Sequence, residues 1–140
     1  MDNNSGVKRD LVAAIIIENG RILILHNIKH GLLRAEPPGG KVHAGEAIDC
    51  AVKREVIEEL GVSVSNLRPF GVFETDSPEG DFQVHMYLCD IAEGAPRLLE
   101  KEKFSGFGWC TFAELIEFKD SGALVRNMVS ALDDLRVLML

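Results

Sequence analysis

The chain has 140 residues, of which 46% are hydrophobic and 26% are charged. This composition is typical of one globular domain with a substantial core, and it excludes a disordered or low-complexity protein. The formal net charge of -7 argues against a nucleic-acid groove or an anionic membrane surface as the partner, because both favour clustered Lys and Arg. We therefore predict a single domain over residues 1–140.

The cysteines and the N-terminus indicate the cellular setting. Three scattered cysteines, odd in number and without Cys-x-x-Cys spacing, argue against a zinc site or a disulfide framework. Residues 1–9 are mostly polar and predict a loose terminus without a signal peptide, and no apolar run is long enough to span a bilayer. We expect a cytoplasmic protein with reduced thiols, without a membrane partner, and the sequence leaves a homodimer open.

The first apolar run, residues 11–17 (LVAAIII), predicts a strand buried on both faces. Asn19-Gly20, a strong hairpin signal, separates it from a second strand at residues 21–26 (RILILH). The two strands are therefore predicted to be antiparallel neighbours. A polar loop at residues 27–32 and a short extended piece at residues 33–36 follow.

A proline- and glycine-rich loop, residues 37–40 (PPGG), leads into one helix. The prolines exclude helix there, and the two glycines either bring backbone close to a ligand or form a tight turn, two readings that are compatible. The helix is predicted over residues 47–60, with Gly61 as its left-handed C-terminal stop. Apolar residues at intervals of four, from Val52 to Leu60, are predicted to pack on the sheet.

Three acidic residues near the end of this helix, Glu55, Glu58 and Glu59, are three and four positions apart and so share one face. Like charges at this spacing repel by about 0.2–0.5 kcal/mol per pair, and acids near a helix C-terminus oppose the helix dipole. Arg54 can offset part of this cost by reaching Glu58. Such a costly cluster suggests a function, and a hard divalent cation such as Mg²⁺ is the natural partner of converging carboxylates. Glu46 lies nine residues before Glu55, about half a revolution away on a helix, so it is placed at the helix entrance.

The rest of the chain alternates between strands and loops before a final helix. Extended segments are predicted at residues 62–64, 70–74, 82–89 and 107–110, with a turn at 76–81 and a loop at 92–102. Thr111 to Glu114 has the pattern of a capping box. Residues 122–138 predict an amphipathic helix whose apolar stripe is Leu124, Met128, Ala131, Leu135 and Leu138. Mixed strands and helices indicate an α/β protein in three layers.

One stretch resembles a known family signature. It consists of Gly40, Glu46, Arg54-Glu55-Val56, Glu58-Glu59 and Gly61-Val62, and it fits without a gap the motif of the Nudix (MutT-type) hydrolases. Seven fixed residues make a chance match on the order of one in a million. The resemblance implies an α/β/α sandwich around a mixed sheet, with the motif at residues 40–62.

Nudix enzymes hydrolyse nucleoside diphosphates linked to another moiety, with Mg²⁺ or Mn²⁺. The resemblance implies metal ligands at Glu55, Glu58 and Glu59, with a further oxygen from the Gly39 carbonyl. It also implies that Arg54 holds a catalytic glutamate and that Glu46 supports the cluster from the loop side.

Two further roles complete the expected site. We predict Glu55 as the general base, with Glu102 or Glu100 of the later loop as the rival. Loop residues Gly39, Gly40 and Lys41 are predicted to contact the substrate.

Substrate identity stays open between (d)NTPs, ADP-ribose and nucleotide sugars. Pro78 lies sixteen residues after Val62, a spacing that resembles ADP-ribose-hydrolysing members, but the surrounding residues are also ordinary turn chemistry. The compact length resembles MutT-type triphosphate pyrophosphatases. A non-catalytic nucleotide-binding sensor is the alternative function, and the intact carboxylates favour the enzyme.

Overall fold

The computed structural model describes residues 9–28, 31–77 and 80–140. Most of the predicted loose terminus, residues 1–8, and Pro78 lie outside this range. The strands are β1 (Arg9–Ile15), β2 (Ile17–Glu18), β3 (Arg21–Asn27), β4 (Arg34–Glu36), β5 (Gly39–Lys41), β6 (Ser63–Ser77), β7 (Gly80–Glu93) and β8 (Phe104–Cys110). The helices are α1 (Ile48–Leu60), α2 (Phe112–Asp120) and α3 (Arg126–Met139).

The strands form two sheets. One has the order β5-β1-β7-β6, in which β1 is parallel to β7 and the other pairs are antiparallel. In the other, β3 is the central strand and pairs antiparallel with β2, β4 and β8. Parallel and antiparallel pairs therefore coexist, as the predicted mixed sheet requires.

Helices cover both faces of the strands. Ala13 and Ile15 of β1 pack in a core cluster with residues of α2 and α3. Val12 and Ala14, which alternate with them, pack in a second cluster with residues of α1. This alternation explains why the first run is apolar at every position, and it confirms the three-layer α/β/α arrangement.

The predicted hairpin is confirmed in part. Asn19 and Gly20 adopt positive φ values of 53° and 75°, and Ile17 of β2 lies opposite Ile22 of β3. The prediction that the whole first run pairs with the second is wrong, because β1 belongs to the other sheet. A run that is apolar on both faces carries no alternation to specify its register, so its partner could not be read from the pattern.

The second half of the chain differs from the prediction in several bounds, and β7 and β8 begin at Gly80 and Phe104, before the predicted starts at 82 and 107. The extended segments at 62–64 and 70–74 are parts of one strand, β6, which is interrupted by register shifts against β7. The last helix begins at Arg126 rather than near residue 122, because the chain before it is bound to β4. Ala35 exchanges hydrogen bonds there, donating to the Ala123 carbonyl at 2.8 Å and accepting from the Val125 N–H at 3.1 Å.

The apolar stripe of α3 is also shifted from its predicted position. Leu124 is buried but precedes the helix, and Leu138 is 44% exposed. Leu132 and Met139 are buried instead. Met128, Ala131 and Leu135 of the predicted stripe are buried as expected, and the buried face differs from the prediction in the residues that join them.

Candidate active site

Helix α1 begins at Ile48, one residue after the predicted start, and has the end that the pattern predicts. It stops at Gly61, which adopts the left-handed conformation at φ 68° and donates its N–H to the Ile57 carbonyl. The later loop between β7 and β8 then satisfies two more carbonyls of the last turn. Arg97 N–H donates to Leu60 O at 3.0 Å and Leu99 N–H donates to Glu59 O at 3.1 Å. The acidic end of α1 is thus held by backbone hydrogen bonds.

Arg54 is the centre of the acidic cluster. Its Nε donates to Glu46 Oε2 at 2.7 Å, and its Nη2 donates to Glu46 Oε1 and to the Lys41 carbonyl at 3.0 and 2.9 Å. Its Nη1 donates to Glu55 Oε1 at 3.0 Å and to Glu58 Oε1 at 2.9 Å. A guanidinium has five N–H donors, so all of them are engaged. The predicted Arg54–Glu58 contact is present, and Arg54 also joins the helix to the glycine-rich loop.

Glu46 lies at the helix entrance, as predicted. Its Oε1 also accepts the His43 N–H at 3.0 Å. The paired hydrogen bonds from Arg54, together with this one, lower the pKa of Glu46 to about 2. The hydrogen bond to Glu46, followed by that to Glu55, raises the pKa of Arg54. Both groups therefore stay charged at neutral pH, and the pair fixes the loop against α1.

Glu55 and Glu59 form a buried acidic pair against the two glycines. Glu55 is 9% exposed and Glu59 is 1% exposed. Glu59 Oε1 accepts the Gly39 N–H at 2.9 Å. A Cβ on Gly40 would lie only 2.5 Å from Glu55 Cδ, so this position can carry no side chain while Glu55 keeps its place.

Burial changes the proton affinity of this pair. Desolvation raises the pKa of Glu59 to about 9, helped by the nearby charge of Glu55 and opposed by the Gly39 N–H. Desolvation also raises the pKa of Glu55, and the hydrogen bond from Arg54 opposes it. These two buried carboxylates are therefore poorly compensated by the protein alone.

This chemistry fits a divalent cation, because a cation would compensate two buried carboxylates that the protein leaves undercompensated. Within residues 9–28, 31–77 and 80–140, no three His, Cys, Asp or Glu side chains are already arranged to hold a metal ion. The carboxylates are grouped around Arg54, and the Glu58 side chain is 48% exposed. Glu55 and Glu59 are thus the buried part of the predicted ligand set, and Glu58 is its solvent-facing part.

The later loop reaches the cluster through Lys103. The Nζ of Lys103 lies 3.9 Å from Glu59 Oε2. Glu102, the predicted rival base, is exposed, and Glu100 is partly buried with its carbonyl accepting the N–H groups of Lys103 and Phe104. The roles predicted for these two acids stay predictions.

Sequence reasoning did not identify two polar residues, one at the end of β3 and one at the start of α3. Asn27 is buried and its Nδ2 donates to Glu36 Oε1 at 2.7 Å. Asn127 Oδ1 is buried and accepts no hydrogen bond from the described residues. No periodicity marks these residues, because strand pairing and the β4 contact with residues 123–125 bring them into place.

The chain is similar in sequence to known proteins. The family model described as the NUDIX domain matches residues 8–132. The chain is 34% identical over 92 residues to the NAD-capped RNA hydrolase NudC of Haemophilus influenzae (strain PittGG), covering 66% of this chain and 34% of that protein. It is 32% identical over 108 residues to the putative 8-oxo-dGTP diphosphatase 2 of Mycobacterium tuberculosis (strain H37Rv), covering 75% and 74%.

A solved structure of a NUDIX hydrolase is similar to this chain in fold. The MutT NUDIX hydrolase from Burkholderia pseudomallei superposes with a TM-score of 0.70 at 28% identity, covering 76% of this chain and 85% of that one. The chain spans about a third of the length of the NudC relative. Across the described residues, no helix combines the length and the apolar character needed to cross a membrane.

Proposed function

The chain belongs to the Nudix hydrolase family, and we propose that it hydrolyses the pyrophosphate linkage of a nucleotide by water attack on phosphorus, with Mg²⁺ as cofactor and Mn²⁺ as the alternative. The observation that carries the proposal is the buried pair Glu55 and Glu59, held against Gly39 and Gly40. The family as a whole acts on nucleoside diphosphate derivatives. The identity of the metal and of the substrate is our proposal for this chain.

A divalent cation bound here would neutralise phosphate charge and lower the pKa of a bound water. The protein's contribution is to fix the carboxylates that would hold it. Glu59 is oriented by the Gly39 N–H, and Glu55 and Glu58 are oriented by Arg54. Glu46 in turn holds Arg54 with two hydrogen bonds, so it is a positioning residue.

Glu55 is the base that this arrangement favours. One of its oxygens accepts from Arg54, which leaves Oε2, beside Gly40, to take a proton from water. Burial raises the pKa of Glu55 above the ordinary value, which makes the carboxylate a stronger proton acceptor. Glu102 and Glu100 are the alternative bases, and the mutation Glu55→Gln separates them, because activity that survives it would assign the role to the loop.

We propose a nucleoside triphosphate as the substrate class. The match to the diphosphatase covers about three quarters of both proteins, whereas the match to the NAD-capped RNA hydrolase covers a third of that protein. A match that extends over about three quarters of both chains favours a shared substrate class over a shared motif alone.

The test is a hydrolysis screen over (d)NTPs including oxidised purine forms, ADP-ribose, nucleotide sugars, dinucleoside polyphosphates and NADH, each with Mg²⁺ and with a chelator. We expect metal-dependent release of a nucleoside monophosphate and pyrophosphate from a triphosphate. The matched control for Glu55→Gln is Glu117→Gln, which removes one acid from α2, outside the cluster. Hydrolysis of ADP-ribose alone would contradict the triphosphate as substrate class. Tight binding of a nucleotide without hydrolysis of any compound would support the non-catalytic sensor.

A further inference from the structure

Lys103 stands at the edge of the carboxylate cluster in a position fixed by the backbone. Its N–H donates to the Glu100 carbonyl at 3.1 Å, and its carbonyl accepts the Ile28 N–H at 3.2 Å. The next residue, Phe104, is 1% exposed and is part of the core cluster beneath α1. The start of the Lys103 side chain is therefore held between a turn, the residue that follows strand β3 and a buried aromatic anchor.

The Lys103 side chain runs from this anchor toward the acids. Its Nζ lies 5.2 Å from the centre of the Phe104 ring and 3.9 Å from Glu59 Oε2. A separation of 3.9 Å is too long for a hydrogen bond. The side chain is 40% exposed whereas that of Glu59 is 1% exposed, so the ammonium group lies between solvent and the buried acid. It can donate to a ligand that arrives from the solvent side.

A count of donors separates Lys103 from the other cation of the cluster. All five N–H groups of Arg54 are engaged by protein oxygens, so Arg54 can contact a phosphate only by giving up one of them. Lys103 has three N–H groups, and among the residues that the structure describes its ion pair is the long contact to Glu59. A phosphate chain bound at this acidic site needs a positive partner beyond the metal, and Lys103 is placed to supply it.

We propose that Lys103 binds the phosphate chain of the substrate, donating to a phosphate oxygen next to the metal-binding carboxylates. The inference rests on the proposed function, since it places the phosphate chain at the Glu55–Glu59 pair. It adds to the motif a substrate-binding cation from the loop between β7 and β8. The competing interpretation is that Lys103 serves only as a counter-ion that stabilises the buried Glu59.

The binding test uses inorganic pyrophosphate in the presence of Mg²⁺, followed by titration calorimetry, and Mg²⁺ alone as a separate titration. Lys103→Met keeps the aliphatic stem and removes the charge, Lys103→Arg keeps the charge, and Lys101→Met is the matched control on an exposed neighbour. We expect Lys103→Met to weaken pyrophosphate binding by about 10- to 100-fold, as for a lost charged hydrogen bond, and the other two variants to stay within about threefold of wild type. Unchanged pyrophosphate affinity with a lowered Tm in Lys103→Met would overturn the proposal in favour of the counter-ion.

A second measurement needs no variant and so does not depend on its folding. The wild-type protein is treated with an amine-acylating reagent with and without Mg²⁺ and pyrophosphate, and the modified lysines are located by mass spectrometry. We expect pyrophosphate to protect Lys103 and to leave Lys101 unprotected, and equal modification of Lys103 in both samples would refute the proposal. If the wild type hydrolyses nucleotides while Lys103 is unprotected, only this inference fails. If Lys103 is protected while no nucleotide is hydrolysed, the proposed function fails and the phosphate contact stands.

Discussion

Replacing Glu59 with Gln tests whether a buried acid is kept for a metal at a cost in stability. Glu59 is 1% exposed, and burial raises its pKa from 4.5 to about 9. Between these values the folded state holds a proton that the unfolded state has lost, so stability is fully present below pH 4.5 and falls as the pH rises toward 9. Gln is neutral at every pH, and its Oε1 can accept the Gly39 N–H in the same way.

The magnitude follows from the pKa difference. Each pH unit in this window removes about 1.4 kcal/mol, so metal-free wild type loses at most about 4 kcal/mol between about pH 5 and pH 8. For a domain of this size that corresponds to a fall in Tm on the order of 10 °C. Glu59→Gln should lack this part of the decrease in unfolding free energy with pH. At about pH 8 without metal it should therefore be more stable than the wild type.

The assay is thermal unfolding followed by circular dichroism, at both pH values, with a chelator and with Mg²⁺. Mg²⁺ should raise the Tm of the wild type at the higher pH, because a ligand that binds only the folded state stabilises it, and should have little effect on the variant. Glu58→Gln is the control for the pH dependence without metal, since it makes the same change on the same helix at a side chain that is 48% exposed. Equal pH slopes in wild type and Glu59→Gln would refute the reasoning, and equal stabilisation of both by Mg²⁺ would remove Glu59 from the ligands.

Three further predictions concern other parts of the site and the core. Glu58→Gln should lower turnover by orders of magnitude while changing stability by less than about 1 kcal/mol, as expected for an exposed ion pair, and steady-state kinetics with a melting curve checks both. Gly40→Ala should abolish measurable turnover by displacing the Glu55 carboxylate, whereas Gly108→Ala, where a Cβ meets nothing within 4 Å, should keep wild-type activity; similar activity in both variants would contradict the packing at Gly40. Thiol titration should find one reactive cysteine in the native protein and three after unfolding, because burial raises the pKa of two of them to about 12 and about 11, and a second reactive thiol in the native state would count against that burial. The exposed cysteine is Cys50, and the buried ones are Cys89 and Cys110.

The sequence predicted features that depend on neighbours along the chain. Helix α1 ends at Gly61 because a left-handed residue follows the apolar period, and both signals are local. The capping box of α2 is present for the same reason, with the Glu114 N–H donating to the Thr111 hydroxyl and Glu114 Oε1 accepting the Thr111 N–H. The Arg54–Glu58 contact follows from the spacing of one helical turn.

Features that depend on which strands meet could not be predicted in this way. Residues 11–17 are apolar on both faces, so nothing in the run shows that it divides between two sheets after Ile15. Lys103 reaches Glu59 because Asn27 of β3 lies opposite Phe104 of β8, a pairing that no local pattern encodes. The contacts of Arg54 with the acids of the candidate site could therefore be predicted from one helix and its entrance. The position of Lys103 could not, because it depends on the assembled sheet.

Glu59 has a further consequence for how this protein can change. Its carboxylate accepts from the glycine-rich loop, and its main-chain oxygen accepts from Leu99, so one residue joins three separate segments of the chain. The bonds from Leu99 and Arg97 use only backbone atoms, and both side chains are exposed. These two hydrogen bonds do not depend on the identity of the Arg97 and Leu99 side chains. Substitutions at Arg97 and Leu99 can therefore change the exposed surface of this segment while the backbone hydrogen bonds that hold the end of α1 are kept.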